Sequence, residues 1–205
     1  MVMNKSQLTN FITKYTLGGE IKSTKWTSDG NSLSTRFISG DKSVVGNVVL
    51  SKFTHLKPCE LGVYNTAQLS SLLSVLGDDV ELNLSQSGDK FISMELEDTK
   101  RKTKSKYMLS DLSVIPTPPE LKNLPDTFEL GIKVDPYFVS TFISGKGALS
   151  EAETFTILTE NGETKIVIGY ASIASNRVTI PVETTKQADI EPISFNANMF
   201  ASILN

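Results

Sequence analysis

The feature that most constrains this chain is a change of hydrophobic period that occurs three times. From Asn65 onward, Leu69, Leu72, Leu73 and Leu76 fall at helical spacing, with Gln68, Ser70, Ser71 and Ser74 on the opposite side. Asn65 is a good N-cap and Gly77 a good stop. The period then becomes two: Val80, Leu82 and Leu84 share a face, Ser87-Gly88-Asp89 turns the chain, and residues 91–96 return. A basic bend over residues 100–106 leads into a further apolar segment, 107–112. The reading is a short amphipathic helix followed by antiparallel strands.

The same plan stands on either side. Ser6 opens a predicted helix with Leu8, Phe11, Ile12 and Tyr15 inward, Gly18-Gly19 ends it, and residues 21–27 turn at Asp29-Gly30 into 33–38, with 44–50 behind. Asp135-Pro136 opens another, where the missing N–H of Pro136 costs nothing, with Phe138, Val139, Phe142 and Ile143 inward. Residues 154–159 then turn at Asn161-Gly162 into 165–171, and 177–182 follow. From cap to hairpin glycine (Ser6 to Gly30, Asn65 to Gly88, Asp135 to Gly162) the intervals are 24, 23 and 27 residues, which indicates a repeated unit. Asn196 starts a fourth helix carrying Met199, Phe200, Ile203 and Leu204. By the same interval a fourth unit would continue past Leu204 and turn at about residue 220.

The fold class expected is α+β: units of one helix plus antiparallel strands, two to a domain. Residues 1–112 form a first domain of two units. Residues 113–125, with Pro116, Pro118, Pro119 and Pro125, form a linker, and 126–205 hold a third unit and the start of a fourth. A chain of 205 residues that is 39% hydrophobic can bury such cores. Its one cysteine, Cys59, excludes an intrachain disulfide and fits a reducing compartment. Without a bilayer-length apolar run or a signal-peptide pattern, the chain reads as cytoplasmic, with no membrane partner.

Chemistry is sparse. His55 is the only histidine; neither a trusted metal-ligand spacing nor a Gly-x-Ser-x-Gly accompanies it. Ser144-Gly145-Lys146-Gly147 lacks the first glycine and the following Ser or Thr of a phosphate loop and reads as a helix stop with one exposed lysine. Asp78-Asp79 reads as a solvated turn and Trp26 as a packed aromatic. No catalytic residue, metal or cofactor is expected. The exception is the bend, with Lys100, Arg101, Lys102, Lys104 and Lys106 in seven residues of a chain whose net charge is −3. It is either a solvated loop or a contact for a polyanion.

These residues together carry a resemblance. Paired helix-plus-strand units with a Pro-containing linker resemble the sliding clamps that hold DNA polymerases on their template, most nearly the tailed-phage type and more distantly the cellular PCNA clamp. The carriers are residues 64–79, the turn Ser87 to Asp89, Tyr107-Met108-Leu109-Ser110-Asp111-Leu112, Gly145-Lys146-Gly147-Ala148-Leu149 and Phe195-Asn196-Ala197-Asn198-Met199. The resemblance implies a homotrimeric closed ring of two-domain protomers, helices lining a hole for double-stranded DNA, an ATP-dependent clamp loader, a tethered DNA polymerase, and no catalysis. Encoded by a phage, it would act in the cytoplasm of the infected host. A virion structural or oligomeric scaffold protein, or an enzyme with a dispersed carboxylate site, stays open on the residues alone.

The expected DNA-facing residues are Gln7, Asn10 and Lys14, Ser71 and Ser74, Ser140 and Ser144, Lys146 near the rim, and the basic Lys100, Arg101, Lys102 and Lys104. Leu112, Val114 and Ile115 either take a partner peptide or seal the domain junction. Lys106, Tyr107 and Leu109 on one strand edge, and Arg177, Thr179 and Glu183 on another, are the expected subunit joint, with the lysines facing Glu183.

Overall fold

A short strand precedes every helix in the computed structural model, which describes residues 2–120, 127–171, 173 and 175–204. The chain divides into two compact units, Met1–Leu121 and Lys122–Asn205. In the first unit the order is β1 (Val2–Asn4), α1 (Lys5–Thr16), β2 (Thr24–Ser28), β3 (Ser32–Ile38), β4 (Val45–Ser51), β5 (Cys59–Val63), α2 (Thr66–Ser74), β6 (Asp79–Ser87), β7 (Lys90–Asp98) and β8 (Lys104–Met108). The hairpin turns contain Gly30 and Gly88, both at positive φ, where a Cβ would be strained. The caps hold with one change. Asn65 accepts the Gln68 N–H at 3.0 Å as expected, but α1 is capped by Asn4, whose Oδ1 accepts both the N–H and the hydroxyl of Ser6.

Two four-stranded antiparallel sheets result, ordered β4-β3-β2-β5 and β1-β6-β7-β8. Each pre-helix strand crosses to the other repeat. β5, which leads into α2, pairs with β2 in the register Trp26↔Leu61, while β1, which leads into α1, pairs with β6 in the register Met3↔Val80. The apolar stripes of α1 and α2 meet the inner faces of both sheets in one core that includes Leu8, Phe11, Trp26, Leu61, Leu69 and Leu96.

At its centre Phe11 stands edge-on to Trp26 at 5.5 Å, and the Trp26 indole N–H donates to the Tyr15 hydroxyl, itself 3.3 Å from Thr66 Oγ1. Burying each large side chain contributes roughly 1.5–3 kcal/mol. A net hydrogen bond contributes about 1 kcal/mol. Packing therefore decides this cluster and the hydrogen bonds orient it.

The second unit runs β9 (Gly131–Ile132), α3 (Pro136–Ala148), β10 (Thr154–Glu160), β11 (Glu163–Ile168), β12 (Val178–Pro181), β13 (Thr184–Lys186), β14 (Ile193–Asn196) and α4 (Ala197–Leu204). Asp135 and Asn196 cap α3 and α4, accepting from Phe138 at 2.8 Å and Met199 at 2.9 Å. The sheet order is β12-β11-β10-β14, so the strand before α4 again pairs with the preceding repeat's hairpin, while β9 pairs with β13. Phe142, Phe155 and Phe200 meet at centroid distances of about 5 Å in its core.

The expected helix stop at Gly145 is wrong. The helix continues to Ala148, and a Cβ at Gly145 would lie 3.0 Å from Val178 Cγ1 and 3.2 Å from Ile168 Cδ1. Gly145 is there to let α3 approach its sheet.

Burial pushes the Tyr15 phenol up to about 12 because the phenolate would lose its water. A raised value favours the neutral phenol, so this stabilisation is whole below pH ~10 and is lost as pH rises through 12. Tyr15→Phe should flatten part of the loss of melting temperature between pH ~10 and 12, and cost about 1 kcal/mol at neutral pH by removing the Trp26 acceptor. Thermal melts followed by the fluorescence of Trp26, the single tryptophan, check both.

Candidate nucleic-acid and partner interfaces

Gln7, Asn10 and Lys14 lie on the side of α1 turned from the core, and Ser71 and Ser74 hold the same position on α2. The serines are not free donors. Ser71 gives its hydroxyl proton to the Ala67 carbonyl at 3.0 Å and Ser74 to the Ser71 carbonyl at 2.7 Å. In the second unit Ser140 does the same to Tyr137, and Ser144 is exposed. Hydroxyls turned into their own helix offer lone pairs outward, which suits passing contact through water better than a grip on phosphate. Lys146 corrects the expectation of an exposed rim residue: it is 9% exposed, and its Nζ donates to the Ser150 carbonyl at 2.8 Å. A cleft of about 630 Å³, unforeseen from the sequence, lies between the end of α1 and the first turn of α2, lined by Thr16, Ile21, Lys22, Tyr64, Asn65 and Ser70. Its lining comes from two repeats, so no local pattern announces it.

The basic bend is largely neutralised. Lys104 stands opposite Glu97, and Lys106 opposite Glu95, in the β7–β8 register, with ion pairs of 2.9 and 3.2 Å. Lys102 reaches Glu97 at 3.9 Å and Lys100 reaches Asp79 at 2.8 Å. Ser105 and Tyr107 turn to α2, bonding the Leu72 carbonyl and the Asn65 backbone, so Lys104 and Lys106 project from the opposite face of the sheet. The structure therefore separates Lys104 from the helix faces with which it was grouped. The bend is shaped by Asp98, 2% exposed, whose carboxylate accepts the N–H groups of Arg101, Lys100 and Gly77. The Arg101 N–H, then those of Gly77 and Lys100, hold this carboxyl below the usual aspartate range against desolvation.

At the start of the connector the expected trio divides. Ile115 is buried beside Gly62, Val114 is 56% exposed, and Leu112 lines a groove of about 460 Å³ with Gly62, Phe91, Ile92, Leu109 and Ser110. Lys90 and Asp111 form an ion pair at its rim that holds the Asp111 carboxyl well below the usual range. Ile115 packs within the first unit, and Leu112 lines the groove.

β8 and β12 are each outermost in their sheets. Hydrogen-bonded pairs alternate along an antiparallel ladder. Leu109 N–H bonds the Ile92 carbonyl and Asp98 N–H the Thr103 carbonyl, so Lys104, Lys106 and Met108 turn their backbone groups to the open edge. Val182 N–H bonds the Thr164 carbonyl, so Thr179 and Pro181 face the open edge of β12. Pro181 thus removes no bond to β11. Two expected joint residues are corrected. Tyr107, 3% exposed, belongs to the core, and Leu109 is half-buried against it. The expected charge match also weakens, since Glu183 pairs with Lys133 at 2.9 Å and the β8 lysines with β7. Arg177 is exposed one residue before β12.

Among the described residues no group of three or more His, Cys, Asp or Glu gathers as a metal site, and no helix is long and apolar enough to cross a membrane. His55 lies edge-on to Phe53 at 5.2 Å. In the first unit the paired repeats each lend their first strand to the other's sheet. No family model matches the chain, and no curated protein matches it in sequence. A solved chain from the complex described as the C-terminal region of FEN-1 bound to A. fulgidus PCNA does match in structure, with a TM-score of 0.72 and 12% identity over 99% of this chain and 81% of that one. The fold is PCNA-like, as the ordered set of repeats implied.

Asp98→Asn should lower the melting temperature of the first unit by several degrees at pH 7, because an amide cannot accept all three N–H groups. The lowered carboxyl stabilises fully above pH ~3.9, and this is lost as pH falls through its folded value, so the gap between wild type and variant should narrow between pH 7 and a pH below ~3.9. Melts at the two pH values check this.

Proposed function

We propose that this chain is a DNA sliding clamp that encircles duplex DNA and tethers a replicative polymerase. The observation that carries the reading is the PCNA-like fold over nearly the whole chain. Three further features support it: solvent-facing helix sides that are polar with self-bonded serines, a groove at the start of the connector, and the outermost strands β8 and β12, whose backbone groups face an open edge. A ring is held by topology, so it needs little affinity for DNA and must slide; Gln7, Asn10, Lys14 and the serines supply loose contact, and Lys22 adds charge. The basic bend, spent on carboxylates, stays outside this role apart from the exposed Arg101. The protein works without catalysis, as a homotrimer opened by an ATP-dependent loader, of the tailed-phage type and in the cytoplasm of an infected cell. In this reading 1–112 and 126–205 are the two clamp domains. Leu112 and Val114 receive the polymerase peptide.

The joint is head-to-tail pairing of β8 with the β12 of a neighbour, an arrangement that can close a ring and pairs both of these edges. Its specificity comes from backbone groups at Lys104, Lys106, Met108 and Thr179 more than from charge.

Loading on nicked circular DNA with a clamp loader and ATP should give a complex that survives gel filtration and is lost on linearisation. Equal retention on both forms, or none, sinks the proposal. Lys14→Glu with Lys22→Glu should reduce loading several-fold at physiological salt while leaving the trimer intact. Thr179→Pro, which deletes the outward N–H and no bond to β11, should turn the trimer into folded monomers at low micromolar concentration by light scattering. A surviving trimer would place the joint elsewhere.

A further inference from the structure

The cleft between α1 and α2 is set apart by its charge. The residues that line it include Lys22 and none that carries a carboxylate, in a chain with 23 acidic residues. The groove at the connector, by contrast, holds Glu60, Asp89 and Asp111 beside Lys90. Buried Ile21 lies along the cleft, and Thr16, Ser23 and Ser70 bring hydroxyls to its walls. Its volume of about 630 Å³ falls in the range of pockets that enclose small ligands, about 300–1,000 Å³.

Tyr64, on the same cleft, is an aromatic residue that the core does not use. It stands just before the cap Asn65, the place that Met3 holds before Asn4. Met3 is 3% exposed and belongs to the core, whereas Tyr64 is 58% exposed and the core contains Leu69 without it. The backbone beneath Tyr64 is nonetheless fixed. The Tyr107 hydroxyl accepts the Asn65 N–H at 2.9 Å and donates to the Asn65 carbonyl at 3.2 Å. Thr66, 1% exposed, gives both its N–H and its hydroxyl to the Lys22 carbonyl, at 3.0 and 3.1 Å. The segments that carry Tyr64 and Lys22 are thus tied to each other before any ligand arrives, which lowers the cost of binding. The same bonds occupy the Thr66 N–H, and Asn65 occupies that of Gln68, so recognition falls to side chains and not to the start of the helix.

We propose that this cleft binds one nucleotide of single-stranded DNA, with its base against the Tyr64 ring and its phosphate at the Lys22 ammonium. An exposed aromatic face stacks any base, and a cation beside it tracks the backbone. Duplex DNA offers the phosphate but keeps its base faces stacked inside the helix. An acidic peptide offers charge without a flat face. The site depends on the clamp reading only for the source of the strand, the unpaired template beside a polymerase; the binding itself needs no ring.

The test is fluorescence anisotropy of a labelled ten-nucleotide oligo-dT and of a duplex of the same length, both too short to retain a ring, titrated with the full chain at several salt concentrations. The single strand should bind several-fold more tightly than the duplex. Tyr64→Phe should keep that affinity and Tyr64→Ala lose on the order of tenfold, with unchanged melting temperatures because the residue lies outside the core. Lys22→Ala should weaken binding and flatten the dependence of log affinity on log salt by roughly 0.7, the share of one phosphate on a single strand. Equal affinity for strand and duplex, or wild-type binding by Tyr64→Ala, overturns the proposal. So does displacement of the oligonucleotide by an equal concentration of dTMP, since the ligand would then be a free nucleotide. Loading on nicked circles is a separate measurement, so either reading can fail while the other stands.

Discussion

The exchange of first strands between neighbouring repeats is the constraint on which the rest depends. A helix with one apolar stripe and a hairpin with one apolar face cannot bury both by themselves, and a lone hairpin is marginal in water. Sending β5 to β2 and β1 to β6 extends each hairpin sheet by a strand and fixes where the helix that follows must start. Asn4 and Asn65 then cap helices whose stripes already face the common core. Burial of Trp26, Phe11 and Leu61 follows from that register. A slip of β5 by one residue would turn Leu61 outward and leave Trp26 without its partner on that face.

The same register governs the charges. Glu95 and Glu97 on β7 meet Lys106 and Lys104 on β8 because the strands are antiparallel and aligned as they are. Exposed pairs of this kind contribute little to stability, about 0–1 kcal/mol each. Their larger effect is on the field. A bend that is strongly basic as a string of residues becomes nearly neutral as a surface, while the helix sides, unremarkable in composition, remain polar and lightly charged.

The clamp fold was legible in the sequence because its signals are local. Helical and alternating periods, the caps at Asn65, Asp135 and Asn196, and the glycine turns at Gly30, Gly88 and Gly162 each depend on residues within a few positions of one another. The short strands before the helices were missed. Five residues or fewer, as in β5 and β9, show no period, and their identity as strands comes from partners some 30 to 80 residues away.

Candidate surfaces were harder for the same reason. Lys14, Ser71 and Ser140 could be placed on solvent faces from their own helices, since periodicity alone puts them opposite the apolar stripe. Lys146 could not: it is the eleventh residue of α3, the position that Tyr15 holds in α1, and only the depth at which α3 sits on its sheet draws it inward. Gly145 reads as a stop in one dimension and as a close approach to Val178 in three. Tyr107 reads as an edge residue until its hydroxyl is seen on Asn65. By itself the sequence determined the repeated unit, its helix starts and its turns, because these are energies of neighbours along the chain. The tertiary structure alone decided which charges cancel, which edge groups face outward and which apolar residues lack a cover, because each is set by atoms brought together from distant repeats.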